Sequence, residues 1–230
     1  MLLGEEEWMS ENLLALMQQQ MVEIIGAHAA QAREHVGKGA IAPRILEVMA
    51  SVPRHEFVPA ELVAYAYLDQ PLPIGHSKTI SQPFIIALMT DLLDVREDST
   101  VLEVGTGLGY HAAILSSLAA HIYSVEIVEE LAAAARRKLA ALGYSRIFLK
   151  VGNGELGWPE HAPFDRILVC AASELVPAVL LHQLKPGGRM VVPTGVADAQ
   201  VLTLVEKSAG GKISMKEIMP VRFALLETES

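Results

Sequence analysis

From about residue 99 the sequence changes rhythm. "TVLEVG" is a short apolar run that reads as a buried strand, and "YHAAILSSLA" has a helical period. "HIYSVE" is a strand again, and "VEELAAAARRKLAALG" is a helix closing on Gly143. "RIFLKVG" and "DRILVCAA" read as strands, "SELVPAVLLHQL" as a helix stopped by "KPGG", and "RMVVPTG" as another strand. Strands alternating with helices pair in one direction, because each helix carries the chain back across a face of the sheet. The chain is therefore predicted to be an α/β protein with a doubly wound, mostly parallel sheet. After Gly195, "AQVLTLVEKS", a "GG" turn and "KISMKEIMPVRFALL" follow without an intervening helix. They predict an antiparallel hairpin at the end of the sheet.

The first third of the chain has a different pattern. "SENLLALMQQQMVEIIGAHAAQAREHV" carries a helical apolar period, with Ser10 as candidate N-cap and "VGKG" as the break. Pro43 opens a short helix that ends before Pro53, since proline suits a first helical turn and disfavours helix in the residue before it. Residues 68–83 read as a loop at the seam. The division expected is an N-terminal helical segment over 1–75, packed on a domain over 76–230, in one structural unit. With 230 residues, 51% of them hydrophobic, one sizeable core and an appendage are within reach.

Composition limits the partners. No apolar run approaches the ~18–20 residues of a membrane helix, and "MLLGEEEWM" places acids where a signal peptide needs positive charge. The expectation is a soluble cytoplasmic chain with no membrane contact. The net charge of −9 argues against a nucleic-acid partner, which selects for a basic face. The one tight basic trio, Arg136 to Lys138, falls late in a predicted helix, where cations favour the C-terminal dipole. The single Cys170 excludes an internal disulfide and a cysteine metal cluster, and the eight histidines lack metal-ligand spacing, so no metal is expected. Cys170 itself ends a predicted buried strand and reads as a small core residue. His111 is expected in a first helical turn, His76 in a surface loop, and Trp8 and Trp158 show no stacking pattern. The sequence sets no oligomeric state.

The chemistry gathers where "VLEVGTGLGY" runs from a strand into glycines and a helix. Glycine lets backbone turn sharply and a ligand approach closely, and ligands collect at this end of open α/β sheets. Gly105, Gly107 and Gly109 space as G-x-G-x-G, with Tyr110 where the dinucleotide fingerprint needs its third glycine. A pyrophosphate is therefore not called for. Glu103, inside the strand, is placed to meet an ammonium group directly or through water. Glu126, ending "SVE", can accept both hydroxyls of a ribose. A nucleoside with an amino-acid tail and no phosphate fits these demands, and S-adenosylmethionine is such a ligand. Asn153, in "VGNGELGW", stands open between contact with an adenine edge and plain turn chemistry. Thr79 and Ser81, in "PIGHSKTISQP", are candidate substrate contacts. Ser81 has the competing reading of an N-cap for the helix "QPFIIALMTDLL".

"PRHEFVP", "PLPIG", "TISQP", "VLEVGTGLGY", "SVE" and "APFDRILVCAA" occur together and in this order. In them the chain resembles the protein-L-isoaspartate (D-aspartate) O-methyltransferase family over roughly residues 40–223. The resemblance implies a seven-stranded, Rossmann-like class I fold dependent on S-adenosylmethionine. It implies methyl transfer to the free carboxylate of L-isoaspartyl residues in damaged proteins, whose ester then collapses to a succinimide. It assigns Ser81 as the active-site hydroxyl orienting the acceptor, with Thr79 beside the cofactor's methyl end. It assigns Glu103, Gly105, Thr106, Gly107, Gly109, Glu126, Asn153 and Gly154 to the cofactor. The chain departs from the family's usual wording at Ser77-Lys78, at Asn153, and at Ala224-Leu225, where a proline is missing. A carboxyl methyltransferase for a dedicated peptide and a cofactor-binding interaction domain without turnover are the rival readings.

Overall fold

The computed structural model describes residues 2–37, 39–196 and 198–228, with side chains from residue 12 onward. Helix α1 (Leu2–Gln31) is followed by the single turn α2 (Arg33–Val36), which ends at Gly37 with φ 84°. Ser10 lies inside α1 rather than at its start, so it is not the N-cap; the side chains of Ser10 and Trp8 lie outside the described residues. Met21, Ile25 and Ala29 recur every four residues, share one face of α1, and are buried. Helix α3 (Pro43–Ser51) opens on its proline and buries Ile45 and Met49.

The segment expected as a loop contains a hairpin. Strand β1 (Leu72–Gly75) pairs antiparallel with β2 (Lys78–Ile80), and Gly75 faces Lys78 across a two-residue turn. That turn, His76 and Ser77, has φ 51° and 56°. Two-residue hairpin turns favour such left-handed pairs, which Asn-Gly announces and His-Ser does not. The hairpin delivers the chain to helix α4 (Pro83–Leu93), buried on nearly every side.

The main sheet has seven strands in the order β5-β4-β3-β6-β7-β8-β9. They are β3 (Thr100–Val104), β4 (His121–Glu126), β5 (Ile147–Val151), β6 (Phe164–Val169), β7 (Leu184–Val196), β8 (Ala199–Lys207) and β9 (Ile213–Val221). The first five run parallel, and β8 and β9 add the expected antiparallel edge. Helices α5 (Tyr110–Ser116) and α6 (Glu129–Ala141) cover one face together with α1, α3 and α4. Helix α7 (Ala178–Gln183) covers the other. Along β3, Val101 packs into the first cluster, and Leu102 and Val104 into the second. By the two-residue period of a strand, Glu103 shares the face of Val101, under α5.

Two boundaries differ from expectation. Helix α7 starts only after Pro177, so "SELV" lies outside it. "KPGG" belongs to β7, where residues 185–188 bulge between the Phe164–Leu184 and Arg166–Arg189 pairs. Trp158 also differs, since it meets Tyr123 edge-on at 5.5 Å within an aromatic cluster. No helix among the described residues is long and apolar enough to cross a membrane.

Candidate active site

Strands β3, β4 and β6 end side by side. Gly105 N–H donates to Val125 O at 2.8 Å, and Cys170 N–H donates to Val104 O at 2.8 Å. Between β3 and β6 the strand order reverses, which opens a crevice at the carboxyl ends of an α/β sheet. A cavity of about 760 Å³ lies there. That volume falls within the ~300–1,000 Å³ typical of small-molecule sites.

Glu126, buried at the end of β4, forms one wall. Its Oε2 accepts the Gly107 N–H at 2.7 Å and its Oε1 the Val128 N–H at 3.0 Å. Each oxygen keeps a further lone pair, which suits a vicinal diol. Gly107 has φ 56°, the left-handed region, and that geometry aims its N–H at the carboxylate. Gly105 and Gly109 take up left-handed φ as well, and Gly105 and Thr106 join Gly107 on the cavity wall. Gly154, after β5, also lines the cavity, and a Cβ on it would stand 2.3 Å from Val104 Cγ1.

Glu103 lies beneath this wall rather than in it. It is fully buried, and its Oε2 accepts the Ser124 hydroxyl at 2.5 Å. Because Ser124 gives its proton to Glu103, Thr106 donates to Ser124 at 2.6 Å. Glu103 thus reaches the glycine loop through two hydroxyls. Its Oε1 has no partner among the described residues, and burial pushes its carboxyl up to about 8. Asn153 sits beside Gly154, and its Oδ1 caps the following turn by accepting Glu155 N–H at 2.9 Å.

His111 and Cys170 complete the floor. His111 Nε2 meets Thr90 Oγ1 at 2.9 Å, and Thr90 donates its own proton to Ile86 O. The hydrogen of His111 is therefore on Nε2, and Nδ1 faces Cys170 Sγ at 3.8 Å. Burial lowers His111 to about 3, so its ring is neutral, and raises the Cys170 thiol well above its ordinary range. Cys170 is a half-buried wall residue rather than a core filler. One ligand atom each from Glu103, His111 and Cys170 lie within 4.8 Å of one another. As burial holds them, a cation entering there would first have to displace the thiol and carboxyl protons.

Thr79 and Ser81 line the same cavity. Thr79 is exposed on β2. Ser81 does not cap α4, whose N-cap position is Gln82. The cap comes from Asp69, whose Oδ1 accepts Phe84 N–H at 2.7 Å and whose Oδ2 accepts Gln82 Nε2 at 2.9 Å. His28 Nδ1 bonds the same Oδ2. Ser81 is thereby left with a hydroxyl that bonds no described residue. Its carbonyl is held by Arg54 Nη2 at 2.7 Å, and Arg54 Nε holds Ala66 O at 2.8 Å. Arg54 is fully buried, with its guanidinium 5.0 Å from the Tyr110 ring centroid. No local pattern assigns a role to Arg54, Asp69 or His28. Only the "PRHEFVP" motif pointed at the first of them. His76 is exposed and not on the cavity wall.

The C-terminal segment closes the mouth. Ala172 N–H donates to Ala224 O at 2.8 Å and Leu226 N–H to Ala172 O at 2.7 Å. Lys78 Nζ meets Glu227 Oε1 at 2.5 Å.

A doubly wound sheet with a glycine loop after β3 and a buried acid ending β4, both on the wall of one cavity, has the architecture of a class I S-adenosylmethionine-dependent methyltransferase. The remaining lone pairs of Glu126 fit the ribose of that cofactor, whereas Glu103 meets the cavity wall only through Ser124 and Thr106. A family model described as protein-L-isoaspartate (D-aspartate) O-methyltransferase matches residues 31–230. Protein-L-isoaspartate O-methyltransferase 1 of Polaromonas sp. is 54% identical over 219 residues, 95% of this chain and 93% of that one. Protein-L-isoaspartate O-methyltransferase 2 of Syntrophobacter fumaroxidans is 53% identical over 90% of this chain and 84% of that one. A solved protein-L-isoaspartate O-methyltransferase superposes with a TM-score of 0.77 at 26% identity, over 90% of this chain and 65% of that one. The chain belongs to the protein-L-isoaspartate (D-aspartate) O-methyltransferase family.

Proposed function

We propose that the cavity methylates the free carboxylate of L-isoaspartyl residues in proteins, with Ser81 orienting the acceptor. The observation that carries this is the Ser81 hydroxyl, which bonds no described residue and lines the same cavity as Glu126. When bound, S-adenosylmethionine supplies a methyl group on a sulfonium, ready for in-line displacement. Glu126 and the Gly105–Gly109 loop hold the nucleoside, and Glu103 with Thr106 serves the amino-acid end. Asn153 and Gly154 shape the end beyond β5.

The acceptor carboxylate is ionised at neutral pH, since such groups titrate near ~4. No general base is needed, and His111, neutral and turned toward Cys170, is not placed as one. Positioning is the remaining task, and fixing geometry can lower a barrier by about 7–11 kcal/mol. Ser81 holds one carboxylate oxygen while the other attacks, and Thr79 lines the methyl end. Ile74, Ile80, Phe84 and Phe223 exclude water from the cavity wall. The raised thiol of Cys170 stays protonated, and a thiol is a far weaker nucleophile than a thiolate, so the wall does not compete for the methyl. We place the enzyme in the cytoplasm, where a lone, unpaired Cys170 is at home.

The test is transfer of labelled methyl to matched L-isoaspartyl and L-aspartyl peptides. Base-labile label on the isoaspartyl peptide alone, reduced about a hundredfold by Ser81→Ala with cofactor affinity unchanged, is the expected result. Label on neither peptide, with cofactor still bound by calorimetry, would remove the repair assignment.

A further inference from the structure

We propose that His28, on the N-terminal helix, binds the main chain of the acceptor peptide, and that Asp69 positions it for this. The inference rests on the assignment of the Ser81 wall to the acceptor.

The buried face of α1, Met21 to Ala29, docks the helix against α3 and α4 and brings His28 to the cavity. Asp69 is 4% exposed at its side chain, against 37% for His28. Its oxygens take three donors, from Phe84 N–H, Gln82 Nε2 and His28 Nδ1. An ionised carboxylate only accepts, so the His28 hydrogen at this bond is on Nδ1. Nε2 is left as the free nitrogen, bonded to no described residue. The ring packs edge-on to Phe84 at 5.8 Å with an interplanar angle of 78°, which fixes its plane. One carboxylate thus sets both the imidazole and Gln82, the residue after Ser81. His28 and Ser81 both line the cavity, tied to one another through Asp69 and Gln82.

The residues joined to His28 here, Asp69, Gln82 and Ser81, are none of those given to the cofactor. A ligand meeting His28 there is the acceptor. A peptide presents N–H and C=O groups along its whole length, and a single oriented ring nitrogen suits one of them. The family model begins at residue 31, so His28 lies outside the part of the chain it matches. A histidine that only pinned α1 to α4 would use Nδ1 in the same way. It would affect stability and leave the affinity for peptide alone.

Steady-state kinetics of the full chain with a synthetic L-isoaspartyl peptide separate the two roles. His28→Ala is expected to raise KM for the peptide about tenfold, as loss of one hydrogen bond does. KM for S-adenosylmethionine should stay within about twofold. His28→Gln, whose amide can reach the same position, should recover to within about threefold of wild type. Should His28→Ala lose its melting transition, His28→Phe keeps the packing on Phe84 without a nitrogen, and the same split in KM is read from it. An unchanged peptide KM, or an equal rise in both KM values, overturns the proposal. Wild type that leaves the isoaspartyl peptide unmethylated overturns the repair reading and this inference with it, before any variant is made.

Discussion

Arg54→Met tests whether the buried guanidinium sets the Ser81 loop. The side chain is fully buried without a carboxylate partner within salt-bridge distance, and its Nη1 has no hydrogen-bond partner among the described residues. Its two bonds, to Ala66 O and Ser81 O, join segments that the sequence separates. Charge-assisted bonds of this kind are worth roughly 1.5–3 kcal/mol each, so their loss costs about 3–6 kcal/mol. Against this, burial has lowered the guanidinium pKa from its ordinary value to about 10. At ~1.4 kcal/mol per unit, removing the charge returns about 3 kcal/mol. Methionine keeps most of the stem volume, so the net loss is about 2 kcal/mol. For a chain of this size that is a fall in Tm of about 4–8 °C. Freed from Arg54, the Ser81 carbonyl and its hydroxyl lose their fixed position. We expect kcat to fall at least tenfold, with cofactor affinity by calorimetry within about twofold. Urea unfolding and initial rates on one preparation read both quantities. A variant that loses stability as stated yet keeps wild-type kcat would refute the positioning argument.

Two further outcomes follow from the cavity floor. Glu103 keeps its proton to about pH 8 in the fold and releases it near 4.5 when unfolded. The folded state binds the extra proton between those values, so stability of the cofactor-free protein should fall as pH rises from about 4.5 to about 8, by up to ~1.4 kcal/mol per unit. Glu103→Gln should flatten that slope in urea titrations at pH 5 and pH 8, and a slope that survives the substitution would sink the assignment. Gly154→Ala would set a Cβ 2.3 Å from Val104 Cγ1, a clash expected to cost about 1–3 kcal/mol. Adding Val104→Ala should relieve it, and strictly additive losses in the double variant would show that the two positions do not touch.

The part of this molecule legible in its sequence is the part whose signals are local. Apolar strands running into Gly105–Gly109 announced the parallel sheet and the cavity at its carboxyl end, and Glu126 ends β4 as its place after "SV" suggested. Glu103 was noticeable as an acid inside a buried run. Its place under the loop, reached through Ser124 and Thr106, depends on two strands being side by side. Ser81 shows the limit most clearly. Read locally, a Ser just before "QPFIIALM" is a cap. The cap instead comes from Asp69, twelve residues earlier, and nothing in the local pattern says so. Arg54 stood inside a recognised motif, but its partners are backbone carbonyls, which carry no sequence signature. The hairpin at residues 72–80 escaped because His76 and Ser77 adopt left-handed φ without being glycine or asparagine.

The walls of the cavity come from both ends of the chain. His28 stands on the first helix, and Phe223 to Glu227 close the mouth, stitched to Ala172 by paired backbone bonds. During synthesis the glycine loop and Glu126 emerge and can fold well before the closing segment leaves the ribosome. A half-made enzyme would have a place for its methyl donor and no finished place for the protein it modifies. Termination just after Val221 would yield a chain with all seven strands of the main sheet and an unfinished mouth. For an enzyme that alters other proteins, competence arrives with the segment from Phe223 to Glu227.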